Sequence, residues 1–235
     1  VSKLKALQAF HAGSLKKIDK KNRLDVSPLA SCTELVQLNL YATEITGQNA
    51  LAKCTKIKDL KFYMSDVDDI SCVASMPELE KLDLYACKRI RSYQPMKGLK
   101  HLKHLNLYMH DTPRSEFDVL LTLPALETIW LHFTEIEDLD FMANASNMKS
   151  IDASWCRQLK DISAVANLKK LEELELDDAP VSDISAVQGL KELEELEISD
   201  TKITDLSALK DLPKLEDLDV SETSVKDLTP LKGLT

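Results

Sequence analysis

Glycine and aromatic residues are both scarce in this chain: 5 Gly and 12 Phe, Trp and Tyr among 235 residues. No Gly-rich phosphate loop and no basic, aromatic groove can be found, which removes the common signatures of nucleotide and nucleic-acid binding. No apolar run approaches the roughly 18 to 20 residues that a membrane-spanning helix needs, so insertion into a bilayer is not expected. The first residue is Val1 and no secretory leader layout follows it, so localisation is not legible from that end. The 5 cysteines, Cys32, Cys54, Cys72, Cys87 and Cys156, are odd in number, widely spaced and without a C-x-x-C pair. A disulfide framework, a zinc site or a thiol-exchange motif is therefore not expected. Reduced core thiols in a bacterial or host cytosol are the expectation instead.

What is abundant is hydrophobic content, 44%, and charge, 29%, with a net of −9. The charge is unevenly placed. Residues 1–167 carry 22 Lys and Arg against 21 Asp and Glu, whereas residues 168–235 carry 8 against 18, a net of −10. Such a field disfavours nucleic acid and anionic membrane surfaces at that end and favours a basic segment of a protein partner.

The apolar residues repeat. The pattern L-x-x-L-x-L occurs as Leu35-Leu38-Leu40, Ile57-Leu60-Phe62, Leu79-Leu82-Leu84, Leu102-Leu105-Leu107, Leu126-Ile129-Leu131, Met148-Ile151-Ala153, Leu171-Leu174-Leu176, Leu193-Leu196-Ile198 and Leu215-Leu218-Val220. Start-to-start spacings are 22, 22, 23, 24, 22, 23, 22 and 22 residues. Period-2 alternation at the end of each motif predicts a short strand with one buried face, and a fixed period predicts a stack of parallel strands. Three residues beyond each strand stand Thr43, Ser65, Cys87, His110, Thr134, Cys156, Ala179, Thr201 and Thr223, where hydroxyls and thiols turned inward can bond freed backbone groups. Return segments such as Ile203-Thr204-Asp205-Leu206-Ser207-Ala208-Leu209 space apolar residues by three, which predicts 3-10 turns. In the 24-residue unit, Pro113 opens a segment spaced for a real helical turn or two.

The unit L-x-x-L-x-L-x-x-T-x-I-x-D-L-x-x-L-x-x-L, purest at residues 193–212, resembles the 22-residue leucine-rich repeat of bacterial internalins and of related phosphatase-regulating repeat proteins. That resemblance implies an α/β leucine-rich-repeat solenoid, a right-handed horseshoe with a parallel concave sheet and thin convex turns. It implies protein recognition on the concave surface, and the family has no catalytic residues to transfer. Residues 1–31 are expected to form an N-terminal cap and a degenerate first repeat (Leu15, Ile18, Leu24, Val26, Leu29), with residues 1–13 helical on the spacing of Leu4, Leu7 and Phe10. Residues 32–235 then hold about nine repeats in one continuous solenoid. The sequence stops at Gly233-Leu234-Thr235, where another strand would begin, so the array is expected to continue or to pair through this end.

Counting the first Leu of each motif as position 1, positions 3, 5 and 7 point out of the sheet. Position 7 reads Tyr41, Tyr63, Tyr85, Tyr108, His132, Ser154, Asp177, Ser199 and Ser221; position 8 contributes Met64, Met109, Phe133 and Trp155, and position 5 Trp130. Aromatic side chains on a rigid sheet are frequent binding hot spots, so Tyr41, Tyr63, Tyr85, Tyr108, Trp130, His132 and Trp155 are candidate partner contacts. The alternative is that the tyrosines pack on one another to stiffen the sheet. Farther on, Glu173, Glu195 and Asp217 occupy position 3 and Glu175, Glu197 and Asp219 position 5, with Asp178, Asp200 and Glu222 at position 8. Like charges ~5 Å apart repel by ~0.8 kcal/mol even in water, so these carboxylates are candidates for a basic partner, unless they serve only solubility.

Chemistry at a metal or a nucleophile is not expected. His104 at position 3 and His132 at position 7 of the next strand lie ~13 Å apart along the strand direction, too far to share a zinc ion. No cysteine has an activating neighbour, and the carboxylates lack a calcium-wrapping loop. The chain thus reads as a non-enzymatic protein-binding module without a cofactor. The alternatives are a targeting segment of a larger effector or enzyme, and a self-associating structural solenoid.

Overall fold

The computed structural model describes residues 4–13 and 23–234. Its residues cluster into two compact units, 1–123 and 124–235. In the first, β1 (Ala9–Gly13), β3 (Gln37–Tyr41), β5 (Asp59–Lys61), β6 (Lys81–Asp83) and β7 (His104–Asn106) form a parallel sheet in that order. Two further short strands, β2 (Leu24–Asp25) and β4 (Ile45–Thr46), pair with each other. In the second unit β8 (Thr128–Trp130), β9 (Ser150–Asp152), β10 (Glu173–Glu175), β11 (Glu195–Glu197) and β12 (Asp217–Asp219) run parallel in order. Register is strict within each unit, position 4 on position 4: Leu60 pairs with Leu82 and Leu174 with Leu196.

The repeat drives this arrangement through burial. Leu38, Leu60, Leu82 and Leu105 in the first unit, and Ile129, Ile151, Leu174 and Leu196 in the second, are at most 1% exposed. Each such side chain contributes roughly 1.5–3 kcal/mol, a gain available only when a neighbouring repeat covers it. The returns are 3-10 segments, for example Ser71–Ser75 and Ser207–Leu209, and among the described residues there is no α-helix. No helix among them is long and apolar enough to cross a membrane. The segment after Pro113 is the longest, Arg114–Thr122, and it too is 3-10. An aspartate two residues before several of these turns fixes their start: Asp69, Asp161, Asp183 and Asp205 each accept the backbone N–H of the serine that follows, at 2.7–2.8 Å.

The inward ladder is present as expected. The Cys87 thiol donates to the Phe62 carbonyl (2.8 Å), the Thr201 hydroxyl to that of Ile198 (2.7 Å), and His110 Nε2 lies 2.7 Å from the Leu84 oxygen. His110 is held from its other side by the buried Tyr93 hydroxyl, 2.9 Å from Nδ1, and burial lowers its proton affinity. All five cysteines are free and buried. Burial pushes the thiols of Cys54, Cys87 and Cys156 up to about 11 and that of Cys72 to about 12, away from reactivity.

Two features differ from the sequence reading. Residues 9–13 are a strand, not part of a helical cap. Leu7-x-x-Phe10-x-Ala12 is another copy of L-x-x-L-x-L: Phe10 pairs with Leu38 and Ala12 with Leu40. Three-residue spacing of Leu4, Leu7 and Phe10 suited a helix equally well, but an adjacent strand edge offers hydrogen bonds that an isolated turn cannot match. Of the degenerate first repeat, Leu15 and Ile18 lie outside the described residues, while Leu24, Val26 and Leu29 belong to β2 and the 3-10 segment Ser27–Ser31 with its cap.

Candidate partner-binding face

Strand parity places the candidate residues as expected. Along β3 the side chains alternate between open and buried, and the same alternation holds along β5 to β7, β10 and β11. Positions 3, 5 and 7 of these repeats therefore stand on the solvent side, whereas in the β9 repeat Asp152 and Ser154, at positions 5 and 7, are buried. Position 8 has a backbone peculiarity: Ala42, Met64, Ala86, Met109, Phe133, Trp155, Asp178, Asp200 and Glu222 all have φ between 47° and 61°. This left-handed residue turns the chain off the strand while its N–H still donates to the position-7 carbonyl of the next repeat. Met64 to Tyr85 and Trp155 to Asp177 are examples, both at 2.7 Å. That bond offsets part of the roughly 1–2 kcal/mol a non-glycine residue loses in this region.

In the first unit Tyr63, Tyr85 and Tyr108 form one stack. Ring centroids are 4.5 and 4.4 Å apart with interplanar angles of 13° and 17°. Burial, with the Tyr108 phenol beside it, pushes the proton affinity of the Tyr85 hydroxyl up. Backbone N–H groups of Tyr85 and Tyr108 are pinned by Asp83 and Asn106 at position 5, both at 3.0 Å. The inner ring faces thus cover each other, and what the stack offers outward is ring edges and a row of hydroxyls. Tyr41 is 40% exposed; its ring takes up the space a side chain on the facing Gly13 would need, which accounts for glycine there.

In the second unit Trp130 is 36% and Phe133 38% exposed. His132, Phe133 and Trp155 form a tilted aromatic cluster, with centroids 4.8 and 5.2 Å apart. The Arg157 guanidinium lies 5.7 Å from the Trp155 ring centroid. Next to these rings begin the carboxylates. Asp152, 8% exposed, has Oδ2 3.4 Å from His132 Nδ1 and its Oδ1 accepts the Ser154 N–H at 3.0 Å. Glu175, opposite Asp152, is pushed up to about 7 by burial and by the charges of Asp152, Glu197, Glu195 and Asp177. Glu197 also reaches about 7, through burial, a hydrogen bond and repulsion from Asp177, and Glu195.

The other predicted acids differ. Glu173 and Asp217 are exposed and Glu195 is half-buried. The Ser221 side chain and N–H hold Asp219 below the usual carboxylate range, so this acid is partly engaged in its own turn. Sequence reasoning left out Asp152, Asp177 and Phe133 as contacts, although strand parity already placed the two acids on this face. Among the described residues no group of three or more His, Cys, Asp or Glu side chains is disposed to hold a metal ion.

Comparison with known proteins agrees with this architecture. Residues 191–233 match the family description "Leucine Rich repeats (2 copies)". No curated protein matches the sequence. Among solved structures, an internalin (InlF) of Listeria monocytogenes is 23% identical with a TM-score of 0.67, covering 90% of this chain and 75% of its own. Internalin C2 of the same organism is 23% identical with a TM-score of 0.64, covering 92% and 81%. The TLR13 chain of a complex with single-stranded RNA is 21% identical with a TM-score of 0.72, covering 100% of this chain and 36% of its own. With its period, register, inward ladder and 3-10 returns, the chain has the leucine-rich-repeat fold of these structures, and residues 191–233 match the repeat model itself.

Proposed function

We propose that the chain is a non-enzymatic protein-recognition module that binds through the outward faces of its strands, with aromatic anchors and an acidic surface suited to a basic segment. The observation that carries this reading is the placement, in each unit, of large apolar side chains on the otherwise polar outward side of its strands. Tyr41, Met64, Trp130 and Phe133, at 36–52% exposure, are four of the seven exposed large hydrophobics among the described residues, and all four occupy positions 5, 7 or 8. Rings held at this exposure by a rigid sheet lose little entropy on docking, which suits them as anchors. Fold alone does not choose the partner, since TLR13 was solved with single-stranded RNA and a plant peptide hormone receptor of similar fold (13% identical, TM-score 0.64) in complex with RGF2. Charge makes the choice: the second unit's acidic face repels a phosphate backbone and attracts Lys and Arg.

Affinity capture from lysate with mass-spectrometric identification tests the reading, using the parent protein, a Tyr41→Ala/Trp130→Ala variant and a Glu173→Gln/Glu195→Gln/Asp217→Asn variant. The aromatic variant is expected to lose the captured protein at every salt concentration. The charge variant should lose it at low salt but match the parent at high salt, where exposed charges are screened. Unchanged capture by both variants would retire the proposal. A second reading, self-association, is favoured by Leu228, which is 58% exposed, and by the half-open Leu215, Leu218 and Leu231. Light scattering across protein concentration separates it from recognition of another protein.

A further inference from the structure

The second unit contains a buried hydroxyl with nothing to bond. Ser154 is 3% exposed, and its Oγ has no hydrogen-bond partner. It stands at position 7 of the β9 repeat, on the solvent side by parity, in the column between His132 and Asp177. Asp152 and Glu175 lie side by side at position 5 of the same two strands. A buried hydroxyl left without a partner loses its bonds to water with no return, and carboxylates packed on neighbouring strands repel one another. Both penalties fall on one spot, and one type of ligand relieves both.

We propose that the half-buried carboxylates Glu175 and Asp177, with the buried Ser154 and Asp152 beneath them and His132, Phe133 and Trp155 as a wall on one side, form a seat for an arginine side chain of the partner. The proposal rests on the recognition reading above and names the chemical group recognised. A guanidinium carries five N–H donors in a plane and can bridge acceptors spread along a sheet, about 5 Å from strand to strand. A divalent cation needs oxygens converging on one point, and no group of described residues provides that. The aromatic wall suits a flat cation, and the chain's own Arg157 already lies over the Trp155 ring. Arg157 also draws on Asp178, so it sits at the margin of the seat.

Occupation must displace protons. Glu197 hydrogen-bonds Asp177, and Asp177 in turn accepts the Ser199 N–H at 2.7 Å. The charged groups around Glu175 are Asp152 with His132 on one side, Glu195 and Glu197 on the other, and Asp177 on its own strand. An arriving cation favours the ionised forms of Glu175 and Glu197; loss of the Glu197 proton breaks its hydrogen bond to Asp177 and so frees Asp177 to accept from the guanidinium. Affinity for arginine therefore rises with pH through about 7, the value at which Glu175 and Glu197 lose their protons.

The test is titration of the protein with a blocked Gly-Arg-Gly tripeptide, its lysine counterpart and calcium chloride, followed by NMR at the Trp155 indole and the Ser154 amide at pH 6 and pH 8. The arginine peptide is expected to bind at least threefold more tightly than the lysine peptide, and more tightly at pH 8 than at pH 6. Asp177→Asn and Glu175→Gln should each weaken it about tenfold, whereas Glu216→Gln on the flank should leave it unchanged. Ser154→Ala gives a readout that a structural role does not: the free protein becomes more stable while arginine binding weakens. Equal responses to all three probes, or binding indifferent to pH and to these variants, would overturn the seat. Its failure is distinguishable from that of the recognition reading, because capture sensitive to Tyr41 and Trp130 would survive it.

Discussion

The outward columns of the two units are mounted on the same kind of backbone and behave oppositely. In the first, position 7 holds tyrosines that stack at 4.4–4.5 Å, so the column supports the sheet that carries it. In the second, positions 5 and 7 gather Asp152, Glu175, Asp177 and Glu197, which load the sheet with repulsion and raise the proton affinity of both glutamates. The apolar strand residues beneath both columns are the same in kind, and the columns differ in their outward side chains. A repeat scaffold tolerates this because each strand is secured by its Leu ladder and neighbouring backbone.

The comparison can be broken at several points. Removing a ladder residue should affect both units alike: Leu82→Ala and Leu196→Ala are each expected to destabilise by about 2–5 kcal/mol in urea titrations. A large disparity would mean that the scaffolds are not equivalent. Cutting the middle of the tyrosine stack, Tyr85→Ala, removes two stacked pairs worth about 0.5–1.5 kcal/mol each, and should lower the melting temperature measurably. The acidic column should respond to pH in the opposite sense to most paired carboxylates. Glu175 and Glu197 have folded values of about 7 against an ordinary 4.5, so the folded state binds their protons more tightly. Their stabilising contribution is complete below about 4.5 and is lost as pH rises through about 7. Glu175→Gln should therefore raise the melting temperature at pH 8 more than at pH 5, checked by calorimetry at the two values. The smallest effect belongs to the left-handed position: Ala86→Gly should gain at most about 1 kcal/mol, because relief of the conformation is offset by glycine's greater chain entropy.

Most of the fold was legible in the sequence because a solenoid writes its core as a period. Leu35, Ile57 and their successors show where each strand begins, and parity then aims Tyr63 and Glu197 outward. The strand Ala9–Gly13 was hidden because its partner motif lies 28 residues away and its inward residues, Phe10 and Ala12, depart from leucine. Side-chain association on the solvent face was harder to read. Four tyrosines in register are compatible with open hot spots or with stacking, and only ring orientation decides for Tyr63, Tyr85 and Tyr108. The isolated hydroxyl of Ser154 carries no sequence signal, since its neighbours on adjacent strands are roughly 22 residues away in either direction.

The left-handed position after each strand has a practical consequence. It accepts Ala, Met, Phe, Trp, Asp and Glu with nearly the same φ, so the backbone there is indifferent to the residue it carries. Nine such sites, one per repeat from Ala42 to Glu222, are places where chemistry can be exchanged with little penalty to folding. A combinatorial library randomised at these codons would sample binding specificities on a fixed frame.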